Sequence, residues 1–211
     1  MDEMLTKFRN LDPEKQERIL NAAIKEFAYK GYDLASTNEI VKEAGISKGL
    51  LFHYFKNKQQ LYLFVFDYCA EKSVRELYDH VDFEQTDIFA RVRDIMKFKL
   101  VLLGKYPDMM EFLKNASVDS SAVSKEYVAD RTREMSEASY SRLFDGIDIS
   151  RFKEGVDLEK AMNIIMWTFD GFSTAELAKI KEAPSKMIDY DRIFAEADVY
   201  TTMLQKVIYK E

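Results

Sequence analysis

The stretch Ser36–Phe55, STNEIVKEAGISKGLLFHYF, allows few folds, because it reads as two short helices meeting at a tight corner. Ser36 and Glu39 are spaced as a capping box, in which the serine hydroxyl accepts from the amide three residues on and the glutamate side chain reaches back. Ile40, Val41 and Ala44 give the first helix one apolar side. Gly45 supplies the left-handed residue that ends a helix cheaply, Ile46 fills the inside of the corner, and Ser47 is a good N-cap for the helix that follows. Two helices crossing through a tight glycine turn make a helix-turn-helix unit.

Each helical residue advances about 100°, so residues three or four apart share a face and the second helix sorts by angle. Leu51 and Phe55 fall together and pack inward. Gly49, Leu50 and His53 lie opposite, flanked by Lys48, Phe52 and Tyr54. That outer face suits a major groove: a glycine permits close approach, Leu50 can touch a thymine methyl, and His53 can bond to a base edge or a phosphate, with Lys48 adding charge. The competing reading is a helical corner of an ordinary core, in which Leu50, Phe52 and Tyr54 are simply buried.

Both flanks bear on that choice. Upstream, Asp12 is placed as an N-cap with Pro13 at the first helical position, Ile19, Leu20, Ala23, Ile24 and Phe27 form one stripe, and Gly31 is a stop. Downstream, Asn57 and Gln60 repeat the capping-box spacing, with Lys56 and Lys58 at the mouth of a new helix. The block from Asp12 to about Leu63 strongly resembles the TetR family of transcriptional regulators. The matching features are the alanine-rich first helix ending in Phe27, Lys30, Gly31 and Tyr32; Thr37 with Ile40; the run AGISKG from Ala44 to Gly49; and the run from Phe55 to Leu61, FKNKQQL. As a composite over about the first third of the chain they are highly specific, which none of the pieces is alone.

The resemblance implies that the positions of Thr37, Ser47, Lys48, Gly49, Phe52, His53, Tyr54 and Lys58 meet double-stranded DNA, mostly at phosphates, with the middle of the second helix nearest the bases. Three positions depart from the family pattern. Leu50 stands where a threonine or other polar residue is frequent, Phe52 where a tyrosine is usual, and Tyr54 where a histidine is usual. Phe52 cannot donate to a phosphate, whereas the Tyr54 hydroxyl can.

The net charge of -6 argues against nucleic acid until its distribution is considered. Residues 1–60 sum to +1 and the remainder to -7, and between Lys42 and Lys58 four lysines face Glu43 alone. A local patch of this kind can neutralise phosphates, although a solvated lysine face explains Lys42 as well. The single cysteine, Cys69, excludes an intramolecular disulfide and reads as a buried helix residue, which favours a cytoplasmic address. No apolar run approaches the ~20 residues of a membrane span, and the charged start MDEMLTKFRN lacks a signal-peptide core. Residues 1–11 read as a mobile arm, along which Lys7 and Arg9 could trail on DNA.

With three prolines, seven glycines and no sustained alternation, the remaining chain also reads as helical. Helices are expected from Lys58 to about Asp79, from a cap at Thr86 or Asp87 through Leu102, over MMEFLKNAS, from Ser120 to Phe144, from Leu158 to Ile180, and from Asp189 to Tyr209. The expected fold is all-α: a three-helix helix-turn-helix domain over residues 12–58, then a larger helical bundle over 59–211 that binds an effector and dimerises. Methionine and aromatic side chains crowd the second region, and such residues line adaptable apolar cavities. Since TetR relatives bind a small inducer between such helices, Met110, Tyr127, Met166, Trp167 and Asp170 are expected as partial lining for a mainly apolar ligand. Asp170 is its polar member, unless it is an ordinary exposed aspartate. The family also pairs its last two helices with those of a second subunit, and Ile164, Ile165, Thr168 and Phe172, then Phe194, Val199, Met203 and Val207, could supply that face.

Enzyme signatures are missing: there is no GxSxG, phosphate loop or HExxH, and His53 and His80 have no carboxylate or cysteine at metal-ligand spacing. Neither cofactor nor metal is expected. The reading is a dimeric repressor released by a ligand, its rival a helical ligand-binding protein without DNA binding.

Overall fold

The computed structural model describes residues 2–118, 125–182 and 189–210. They form α1 (Asp2–Arg9), α2 (Pro13–Leu34), α3 (Thr37–Ala44), α4 (Lys48–Phe55), α5 (Lys58–His80), α6 (Ile88–Lys105), α7 (Pro107–Val118), α8 (Lys125–Phe144), a short 3-10 turn (Ile149–Arg151), α9 (Leu158–Glu182) and α10 (Tyr190–Ile208). Among the described residues, extended pairing is confined to one bridge, Phe152 with Tyr209. The expected start of the fourth long helix, Ser120 to Ser124, lies outside the described residues.

Two compact units divide the chain: residues 1–79 with 101–139, and 80–100 with 140–211. In the first, α2 is the central helix, packing on α3 and α7. Asp12 caps it through Glu14 and Lys15, and Gly31 (φ 66°) interrupts its last turns. Its buried stripe of Ile19, Leu20, Ala23, Ile24 and Phe27 is the one the spacing predicts. Phe27, Tyr62 and Phe112 join α2, α5 and α7 edge to face, with centroids 5.0 and 5.3 Å apart for the two pairs made by Tyr62. Cys69 is wholly buried in this core, and burial pushes its thiol up to about 12, so it stays protonated and unreactive.

In the second unit, α6, α9 and α10 enclose a core containing Ile88, Phe89, Val92, Ile165, Phe169, Ala197 and Tyr209. Asp87 rather than Thr86 caps α6, accepting from the amides of Phe89 and Ala90. Arg91 is fully buried here. Its guanidinium donates to the carbonyls of Phe83, Leu143 and Asp145, each at 2.7 Å, and to that of Gln85, so the cation is held by the carbonyl end of α8 and the connector before α6. The negative end of a helix dipole suits a buried cation.

Two local expectations change. Residues 2–9 are helical rather than a mobile arm, and Phe8 is 1% exposed. Of the expected pairing stripe on α9, Ile165 belongs to the core, whereas Ile164 is exposed.

Candidate nucleic-acid interface

The α3–α4 corner forms as the residues dictate, with one substitution of means. Gly45 adopts the left-handed conformation (φ 65°, ψ 39°), which a side chain would strain, and its amide and that of Ile46 turn back to Lys42 and Val41. The Ser47 hydroxyl accepts from the Leu50 amide at 3.2 Å. The Ser36 hydroxyl, however, makes no cap. Glu26 of α2 accepts from the Ser36 amide at 2.8 Å, so the orphan donor at the start of α3 is satisfied from the neighbouring helix rather than by Glu39. Glu26 is itself paired with Lys30 at 2.9 Å.

Gly49 and His53 of α4 are exposed and Leu50 is half-buried, while Leu51 and Phe55 are buried. A Cβ added at Gly49 meets nothing within 4 Å, so this face is open backbone with room for a close neighbour. Phe52 cannot donate, yet it has a use on the flank: the exposed Lys48 ammonium lies 5.9 Å from its ring centroid, a cation–π contact that keeps the charge beside the outer face. Thr37 begins α3 half-buried, and Ser47 is exposed at the corner.

Tyr54 and Lys58 sit differently from the rest. Tyr54 is only 7% exposed, not on the flank where angle alone puts it, because Phe8 of α1 packs edge-on against its ring at 5.8 Å. The Lys58 ammonium donates to three carbonyls at the end of α2, those of Tyr32 (2.7 Å), Asp33 (3.1 Å) and Ala35 (3.2 Å), and covers the Tyr32 ring. An ammonium has three protons, and all three are used. Sequence reasoning missed Glu26 and Phe8 as supports of this site, since both lie outside the motif and look like ordinary members of an amphipathic and a terminal segment.

The five residues expected to line an effector site are divided between the two units. Met110 and Tyr127 fall in the first unit and Met166, Trp167 and Asp170 in the second. The Tyr127 hydroxyl donates to Asp67 at 2.5 Å, and partial burial together with that hydrogen bond raises it to about 12. Met166 packs against the second core, Trp167 is 67% exposed, and Asp170 is exposed with Lys99 4.0 Å away. A cleft of about 520 Å³ does open in the first unit, lined by Arg18, Lys25, Glu43, Lys72 and Tyr106 among others and by none of the five. Its walls carry charged side chains, among them the pair Lys25 and Glu43 at 3.3 Å. Among the described residues no group of His, Cys, Asp and Glu could hold a metal ion, and no helix is long and apolar enough to cross a membrane.

Residues 19–65 match the family model of bacterial regulatory proteins, tetR family. The chain is 43% identical over 60 residues to the HTH-type transcriptional regulator YuxN of Bacillus subtilis, covering 28% of this chain and 21% of that protein. It thus spans about a fifth of that relative's length. With the fatty acid metabolism regulator protein of Bacillus subtilis the likeness is longer and weaker, 23% identical over 163 residues, covering 74% of this chain and 80% of that one. A solved TetR family transcription regulator from Marinobacter aquaeolei superposes with a TM-score of 0.67 at 18% identity, covering 96% of this chain and all of that one. The stronger sequence likeness therefore lies in the α2–α5 segment, and the fold likeness extends through the later helices.

Proposed function

We propose, for this TetR-family transcriptional regulator, that two copies pair through α9 and α10, present their α4 helices to successive major grooves of a DNA operator, and repress until a small, mainly apolar ligand releases them. The observation that carries the proposal is the outer face of α4: an open backbone at Gly49 beside exposed Lys48 and His53, on a fully packed aromatic underside. Thr37, Ser47, Lys48, Gly49, Leu50, Phe52 and His53 form the contact set, with Lys48 and Ser47 at phosphates and Leu50 and His53 at bases. Tyr54 and Lys58 serve the same surface from behind, by packing and by capping α2.

By role, residues 12–58 read DNA and 59–211 bind the effector and the second subunit, in the cytoplasm where the operator lies. Ile164 and Trp167 on α9 and Val199, Met203 and Val207 on α10 are large apolar side chains left exposed, and they suit a subunit face. Pairing matters because the two readers must sit about 34–36 Å apart to enter consecutive grooves. The effector then acts only through its unequal affinity for the spaced and unspaced dimers. Met110 and Tyr127, both of the first unit, are kept as part of its lining.

The test is a mobility shift against fragments from the protein's own promoter neighbourhood across a salt series. Phosphate neutralisation predicts a steep loss of affinity with added salt. Failure to retain any fragment at low salt would favour a ligand-sequestering protein instead.

A further inference from the structure

The segment before Asp12 is built into the reader rather than trailing from it. The Phe8 ring lies 4.8 Å from Phe55 and 5.8 Å from Tyr54 on α4, and 5.3 Å from Phe64 on α5. Phe55 and Phe64 touch each other at 5.2 Å, so three rings close a triangle beneath the reading helix. The tether is fixed as well: the Gln16 amide donates to the carbonyls of Arg9 (3.0 Å) and Leu11 (2.7 Å), holding the link between α1 and α2 onto α2. A helix of eight residues is too short to persist by its own hydrogen bonds. Its docking through Phe8 onto α4 and α5 is therefore what orders it.

We propose that Phe8 is a positioning residue for DNA recognition: by filling the space behind Tyr54 and Phe55 it sets the tilt at which Gly49, Leu50 and His53 are offered to the bases. The inference rests on the DNA-reading proposal for α4. Base contacts depend on sub-ångström placement of their side chains, whereas phosphate contacts from long lysines tolerate a rocking helix, so losing the wedge separates the two kinds of binding. Phe8 touches no nucleic acid in this account.

Full-length wild type, Phe8→Ala and Phe8→Leu are titrated against the duplex that wild type selects from a random pool and against an unselected random-sequence duplex. Phe8→Ala is expected to lose roughly tenfold on the selected duplex, about the worth of one base contact, and to keep its affinity for the random one. Phe8→Leu restores most of the loss, and amide exchange in the Ala variant rises in α4 while α9 is unchanged. If Phe8→Ala fails to fold, Phe8→Met, which keeps bulk without the flat ring, takes its place with the same expectation at smaller size. Equal losses on both duplexes, or none on either, overturn the proposal. A wild type that binds both duplexes alike removes the DNA-reading proposal itself, a result distinct from a discriminating wild type matched by its variant.

Discussion

Among the described residues, two helix faces stand exposed, and their chemistries are opposite. The outer face of α4 shows a glycine, a histidine and a lysine. The outward faces of α9 and α10 show Ile164, Trp167, Val199, Met203 and Val207. Exposing a charged and open surface to water costs little, so α4 can wait alone for a polyanion. Leaving a tryptophan and four aliphatic or thioether side chains in water forgoes the stabilisation their burial would bring, and a face of that kind favours a second protein surface. The difference teaches that the first face suits a charged partner and the second an apolar one.

The largest effect is expected from breaking the apolar face of α9 and α10. Trp167→Glu combined with Met203→Glu should give a monomer in sedimentation and cost more than roughly 100-fold in operator affinity, because one reader then binds without the other. A dimer surviving both changes would move the subunit interface elsewhere. A comparable test of stability in the same unit is Arg91→Ala, which strips the donors from four buried or half-buried carbonyl partners. It should lower unfolding free energy by about 3 kcal/mol in urea titration.

Lys48 and Lys58 sharpen the comparison within the reader. Lys48→Ala should weaken binding to every sequence about tenfold and flatten the salt dependence by about one counterion. Lys58→Met should instead cost about 1–2 kcal/mol of stability, through the carbonyls of Tyr32, Asp33 and Ala35, and leave the salt slope unchanged. A flattened slope for Lys58→Met would return that residue to the phosphate contacts.

The smallest effect concerns acid. Glu176 is buried, which alone would push its carboxyl up, but hydrogen bonds from Lys179 and Arg192 hold it below the usual range. A depressed folded-state value means stability that is present above the ordinary glutamate range and lost as pH falls through the lowered one. Melting of the wild type should therefore decline in acid more than melting of Glu176→Gln, and parallel curves would show that the α9–α10 pair contributes nothing measurable.

How far the chain could be read in advance follows the range of the interactions involved. The Gly45 turn, the Ser47 cap, the Asp12 cap and the stripe of α2 are local chemistry, written in residues three or four apart, and all take the form their spacing predicts. What depended on distant partners was hidden. Glu26 displacing Glu39 at the start of α3, Phe8 burying Tyr54, and Lys58 turning from the outer surface to the end of α2 each require knowing which segment arrives from elsewhere. Arg91 is the extreme case: its neighbours Ala90, Val92, Arg93 and Asp94 look like a solvated turn of helix, and only the arrival of the α8 terminus makes a buried cation tenable there. The five residues expected at an effector site rest on side-chain type, and type carries no information about which chain segments meet.

Every role proposed for the molecule depends on α4 as the reader. Wild type and His53→Ala, each carried through selection from the same random duplex pool, measure it most directly. Two different enriched sequences, altered at the positions His53 would face, are predicted. Identical enriched sequences, or no enrichment by the wild type, would contradict it.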